Sequence, residues 1–220
     1  MLAAAMQTPK IGQEPAEALV ALAQSARDVA NELLRIHDGD DPRVTEARET
    51  LDDVVAKLSA FASRHDPPRA VDAVEKEGTR PYYFPGALAP RVHVAHPWMT
   101  AEEFDGGRRG RVRFDLVHEG PPGCAHGGHV AWFFDQAFGH HVVAQQIGGP
   151  THRLEVVYRR LTPLFRELDY EIRTDRVDGR KIFADAWLRD GDEVVAEAKA
   201  LFVAPKAGFQ MTTEGMTRND

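Results

Sequence analysis

The chain has 220 residues, 43% hydrophobic and 28% charged, with 27 Lys+Arg against 34 Asp+Glu for a formal charge of −7. Such a length and apolar content suit one or two soluble domains with a real core, and exclude collagen-like, low-complexity and largely disordered chains. No apolar run of about 18 residues occurs, so no membrane-spanning helix is expected; the acidic balance gives no general footprint for nucleic acid, and the single cysteine, Cys124, allows no intrachain disulfide.

The opening stretch MLAAAMQTPK has no Arg and no apolar segment after its Lys, so neither a signal peptide nor a transit peptide is expected and a reducing cytoplasm is the expected compartment. Residues 1–66 read as a helical hairpin. Leu19, Leu22, Ala26, Val29, Leu33 and Ile36 form one apolar stripe at helical spacing, and Val44, Ala47, Leu51, Val54, Leu58 and Phe61 form a second. Between them, Gly39 suits a helix C-terminus, Asp41 an N-cap and Pro42 the first helical position. Two such helices cannot bury both stripes alone, so they are expected to pack on the rest of the chain or on a second copy.

Residues 67–110 are rich in Pro and Gly and read as an irregular linker and the start of the main domain, with Arg91–Ala95 as a short strand and Thr100-x-x-Glu103 as the capping box of a short helix. Over 111–205 the period becomes two. Val112, Phe114 and Leu116 open this pattern, followed by Leu154, Val156 and Tyr158, by Leu168, Tyr170 and Ile172, by Ile182 to Leu188, and by Val194 to Phe202. Asp178-Gly179 and Asp190-Gly191 are hairpin turns, so the strands are mostly antiparallel. Residues 206–220 form a polar tail.

One helix interrupts the strands. Gly127–Gln146 is apolar nearly all round, through Val130, Trp132, Phe133, Phe134, Phe138 and Val142, as a helix buried on most sides would be. The architecture is therefore α+β, an antiparallel sheet wrapped around one central helix and preceded by a helical hairpin. Asp135 falls in the middle of that helix, where an unpaired carboxylate is costly, so it is either paired, exposed or functional. His126-Gly127-Gly128 opens the helix, and its uncovered N–H groups make an oxyanion site or simply a tight turn. Eight helical residues separate Gly127 from Asp135, about 12 Å along the axis. One carbonyl carbon cannot be served by both unless two central helices meet across a two-fold axis.

The stretch Gly120-Pro121-Pro122-Gly123-Cys124-Ala125-His126-Gly127-Gly128, followed by Asp135, resembles the motif of the hotdog-fold acyl-CoA thioesterases, most of all the subgroup containing the human mitochondrial long-chain enzymes. The likeness covers roughly residues 80–205 and continues through Thr151, Tyr158-Arg159-Arg160, Val177-Asp178-Gly179-Arg180-Lys181 and Glu197-Ala198. It implies a hotdog fold over 111–205, a homodimer that can pair further into a tetramer, and acyl-CoA as substrate, with no cofactor. It further implies Asp135 as general base or nucleophile, the Gly127 N–H of the opposite chain as carbonyl donor, and His126 and Thr151 in the same site. Many smaller relatives carry Asn six residues before the His, where this chain has Gly120, and near relatives often have Phe at Cys124. No counterpart of the helical hairpin is recognised in that family.

Substrate contacts are expected from Gly128, from Arg159, Arg160, Arg180 and Lys181 toward the CoA phosphates, and from Trp132, Phe133 and Phe138 along the acyl chain. The four basic residues are equally readable as solvated sheet charges. Two other enzyme readings stay open: a hotdog hydratase or dehydratase using His118, and a Cys124 nucleophile, which sits awkwardly two residues from His126. A non-catalytic acyl-CoA-binding module is the third alternative. His126-x-x-His129 with His140-His141 lacks the spacing of a ligand set, so no metal is expected.

Overall fold

A computed structural model describes residues 16–61, 89–145 and 149–204, together with the short strands at 209–212 and 215–218. The expected tail 206–220 otherwise lies outside the described residues, as does Gln146 at the end of the central helix.

A seven-stranded antiparallel sheet contains β1 (Trp98–Met99), β2 (Glu102–Phe104), β3 (Gly107–Arg113), β4 (Thr151–Tyr158), β5 (Glu167–Asp178), β6 (Lys181–Asp190) and β7 (Glu193–Val203), in the order β1-β3-β5-β6-β7-β4 with β2 also on β3. The sheet wraps one long helix, which with the helices introduced below is α4 (Gly127–Ala144). The inward rows explain how helix and sheet fit. Ile172, Ala186, Ala198 and Val156 stand side by side across β5, β6, β7 and β4, and Thr174, Ala184, Ala200 and Leu154 form the next row. Small alanines on the two middle strands leave room for Phe133, Phe134 and Phe138 of the helix, all fully buried. The two hairpin turns are as read: Gly179 and Gly191 each hold positive φ, 57° and 60°, at the first position of a two-residue loop.

Two expectations for residues 89–110 are corrected. Ala89–Val92 is a short helix (α3), not the start of a strand. Glu102–Phe104 is a strand, paired with β3 across a turn in which Gly106 has φ 74°, so no helix follows Thr100. The Thr100 hydroxyl instead accepts from the Arg111 N–H at 3.1 Å. The sheet thus begins ahead of Arg111, and β3 runs through position 110.

The N-terminal helices are α1 (Glu17–Leu33) and α2 (Pro42–Ser59). Asp41 caps α2 as expected, accepting from the Arg43 N–H at 2.9 Å with Pro42 at the first helical position. Gly39 does not end α1, which stops at Leu33 with Leu34 still right-handed. The stripes are also not the packed faces. In α1 the buried residue is Ala23, while Leu19, Leu22, Val29 and Leu33 are exposed. Its contacts are polar: Arg27 donates to the Arg91 carbonyl at 2.5 Å, and Asn31 accepts from the Val117 N–H at 3.1 Å. No residue of α2 is buried. No described helix is long and apolar enough to cross a membrane.

Candidate active site

The loop before α4 is fixed by its backbone. Cys124 N–H donates to the Pro121 carbonyl at 2.9 Å, with Pro122 and Gly123 between them and Gly123 at φ 75°, which is a turn that requires glycine at its third position. Above the turn, Gly120 N–H donates to the Cys124 carbonyl at 2.8 Å and His126 N–H to the His118 carbonyl at 2.7 Å. A Cβ on Gly120 would lie 2.7 Å from His126 Cα, so the Asn of smaller relatives has no room in this loop.

His126 is the N-cap of α4. Its Nδ1 accepts from the Gly128 N–H at 2.9 Å, which leaves Nε2 as the ring nitrogen not used in the cap. Its carbonyl takes the N–H groups of His129 and Val130 at 2.9 and 3.2 Å. Among the described residues the Gly127 N–H has no acceptor, so the helix opens with one uncommitted donor where its dipole is positive.

Asp135 is not deep in the core. It is half-buried on the face of α4 turned away from the sheet, with exposed Gly128 and half-buried Ala131, Trp132 and Gly139. The Thr151 hydroxyl, at the start of β4, donates to Asp135 Oδ1 at 2.9 Å. Both Gly127 and Asp135 belong to one uninterrupted helix, so the separation of about 12 Å stands. A Cβ on Gly139 would meet nothing within 4 Å, so this face is open in the single chain.

Tyr158 closes the other end of the same edge strand, and sequence reasoning did not assign it to the site. Its phenol donates to the Gly127 carbonyl at 2.7 Å, and burial pushes its pKa upward. Its sequence signals were its inward phase on β4 and its place beside Arg159-Arg160 in the stretch that carries the likeness. The four basic candidates do not form one patch. Arg159 and Arg160 follow Tyr158 and pair with Glu197 and Glu193 at 3.1 and 2.8 Å. Arg180 and Lys181 lie at the β5–β6 hairpin, opposite Val203, about 20 Å further along the sheet. Trp132 and Phe138 also separate. Trp132 meets the rings of His93 and His96 at 5.2 and 5.1 Å, whereas Phe138 is fully buried against Phe134 and Phe202, so no open acyl path passes Phe138 or the equally buried Phe133.

His118, His129, His140 and His141 are structural. His118 is buried with both ring nitrogens on the backbone: Nδ1 takes the Asp115 N–H at 2.9 Å and Nε2 reaches the Ala95 carbonyl at 3.1 Å. His129 Nδ1 reaches the His118 carbonyl at 3.2 Å. Burial, with the Arg108 charge nearby, pushes His140 to about 3 and His141 to about 4, so both are neutral core residues. Among the described residues no group of three or more His, Cys, Asp or Glu side chains is placed to hold a metal ion. A surface cavity of about 460 Å³, lined by Thr100, Arg109, Arg111, Asp169 and Arg189 among others, contains none of the candidate residues.

No protein-family model matches the chain. Acyl-coenzyme A thioesterase THEM4 of Xenopus laevis is 34% identical over 87 residues, 39% of each chain. THEM4 of Mus musculus is 29% identical over 87 residues, 39% of this chain and 37% of that protein. The chain therefore spans about two fifths of the length of these curated relatives. A solved thioesterase-superfamily protein superposes with a TM-score of 0.70 and 26% identity, covering 87% of this chain and 98% of its own. The chain thus has the α+β hotdog fold of thioesterase-superfamily proteins, and the motif likeness to acyl-CoA thioesterases agrees with its sequence relatives. A match over 87% of the chain is longer than residues 67–220 can supply, so it extends into the N-terminal region.

Proposed function

We propose that, with the hotdog thioesterase likeness as premise, the chain hydrolyses acyl-CoA thioesters to a carboxylic acid and CoA at two equal sites shared between paired copies. The observation that carries this reading is the division of one helix: a hydrogen-bonded Asp135 on its open face and an uncommitted Gly127 N–H at its start, too far apart to meet on one carbonyl. An antiparallel pairing of two α4 helices brings Asp135 of one copy to Gly127 of the other.

In the mechanism, Asp135 takes a proton from water as the water oxygen attacks the thioester carbon; direct attack by the carboxylate is the variant route. Thr151 donates to one carboxylate oxygen, which turns the other toward the water. The carbonyl oxygen gains charge and is held by the Gly127 N–H and the helix dipole, worth about 3 kcal/mol. Collapse re-forms C=O and breaks the C–S bond, and the CoA thiolate takes up the proton. We assign the donor there to His126 Nε2, the ring nitrogen left over when Nδ1 caps the helix. In this pairing Arg180 and Lys181 of one copy and Arg159 and Arg160 of the other flank one site for the CoA phosphates. The exposed Arg159–Glu197 and Arg160–Glu193 pairs are weak enough to exchange carboxylate for phosphate.

The hydratase alternative loses support because both nitrogens of His118 are committed to backbone partners. The remaining rival is a binding module without turnover. The test is release of free CoA from short-chain, long-chain and aromatic acyl-CoAs by wild type and Asp135→Asn, read without a thiol reagent because Cys124 is a free thiol. Turnover by wild type with a loss of about 100-fold or more in the variant is the expected result. Binding without turnover on every substrate favours the module.

A further inference from the structure

Tyr158 has no task in the chemistry above, yet it touches the site's carbonyl donor. Its phenol O–H donates to the Gly127 carbonyl at 2.7 Å, and its ring stands where a Gly127 side chain would, with a Cβ there only 3.2 Å from Tyr158 Cζ. On the other side of the same peptide, the Gly128 N–H donates to His126 Nδ1 at 2.9 Å. The Gly127–Gly128 peptide is therefore gripped at its oxygen by β4 and at its nitrogen by the loop. Glycine has the widest freedom in φ and ψ, and two in succession at a helix start fray unless something holds them. Holding that plane sets the direction of the neighbouring Gly127 N–H. A hydrogen bond to the carbonyl also polarises the amide and strengthens its N–H as a donor toward His126.

We propose that Tyr158 is a positioning residue that aims the Gly127 N–H at the developing oxyanion. It acts through Gly127 and touches no reacting atom; its catalytic consequence rests on the thioesterase reading. The edge strand β4 then organises both halves of the chemistry, with Thr151 at one end on the carboxylate and Tyr158 at the other on the oxyanion donor.

The test is Tyr158→Phe, which keeps the ring and removes the hydroxyl. With an acyl-CoA that wild type turns over, kcat falls about tenfold while KM stays within about twofold and Tm is unchanged. In protein labelled with ¹⁵N-glycine, the Gly127 and Gly128 amide resonances shift and the hydrogen-bonded Gly128 amide exchanges about tenfold faster, while Gly179 and Gly191 in the hairpins stay put. The amide measurement needs no turnover, so it decides the positioning even if no acyl-CoA is hydrolysed, an outcome that would sink the thioesterase reading alone. Unmoved Gly127 and Gly128 amides overturn the proposal. An unchanged kcat, or a loss of kcat matched by a fall in Tm, overturns it as well.

Discussion

The sheet with α4 and the N-terminal helices both carry clear apolar periodicity, yet the two regions use it differently. In the sheet, every second residue from Leu168 to Ile172 and from Ile182 to Leu188 is buried against the helix, as the alternation says. In α1 the apolar stripe faces outward, and the attached face carries Ala23, Arg27 and Asn31, with hydrogen bonds doing what side-chain burial does elsewhere. Of the second stripe, Leu51, Val54 and Phe61 are exposed and Val44 and Leu58 only half-buried. Periodicity identifies a face; it does not say whether the partner of that face lies within the same chain. A strand brings its neighbours with it through the backbone ladder, whereas a surface helix must find a surface to cover it.

Substitutions can sharpen that contrast. Phe138→Ala removes a fully buried ring packed on Phe134 and Phe202, and should cost about 3–5 kcal/mol in urea unfolding. A loss under about 1 kcal/mol would mean that the body is loosely packed around its helix. Lowering the pH should come next. Burial holds His96 at about 4, His140 at about 3 and His141 at about 4, below their unfolded value near 6.5. The unfolded chain therefore binds protons first, so stability is complete above pH 6.5 and falls as the pH drops toward 4. By pH 5, about 1.5 pH units below the unfolded value, the loss should be about 2 kcal/mol for each histidine, seen as a falling urea midpoint; a midpoint that is flat from pH 7.5 to 5 would contradict their burial. The smallest effect should come from Val54→Ala in α2, within about 0.5 kcal/mol for the single chain. A cost near that of Phe138→Ala would show that a second surface covers α2 in solution.

Most of the body was legible from the residues alone. The strand phases, the glycines of the two hairpins, the span of α4 and the Asp41–Pro42 start of α2 all follow from local rules. Residues 89–104 were not, because Thr100-x-x-Glu103 fits a capping box equally well whether or not Arg111 arrives from a strand to use the Thr100 hydroxyl. Within the candidate site, the Thr151–Asp135 hydrogen bond follows from the register of an edge strand beside the helix, while the loop at His126 lies about 12 Å away at the start of that helix. The wider ring of residues was harder to read. Arg159 and Arg180 are close neighbours in motif lists but fall at opposite ends of the sheet. Tyr158 looked like one more inward side chain, and only the return of β4 past the helix start brings its hydroxyl to Gly127.

The central claim is a site divided between copies, and mixing two damaged chains tests it most directly. Asp135→Asn removes the carboxylate, and Gly127→Pro removes the N–H at the first helical position, where proline suits the helix backbone once the exposed Tyr158 ring, 3.2 Å from a Cβ there, gives by a few tenths of an ångström. Each variant alone should be nearly inactive. Co-expressed in equal amounts, they should recover about a quarter of the wild-type rate, because half of the dimers are mixed and each mixed dimer rebuilds one of its two sites. If the mixture stays as inactive as its components, the carboxylate and the oxyanion donor act within one chain, and the account of a shared site is wrong.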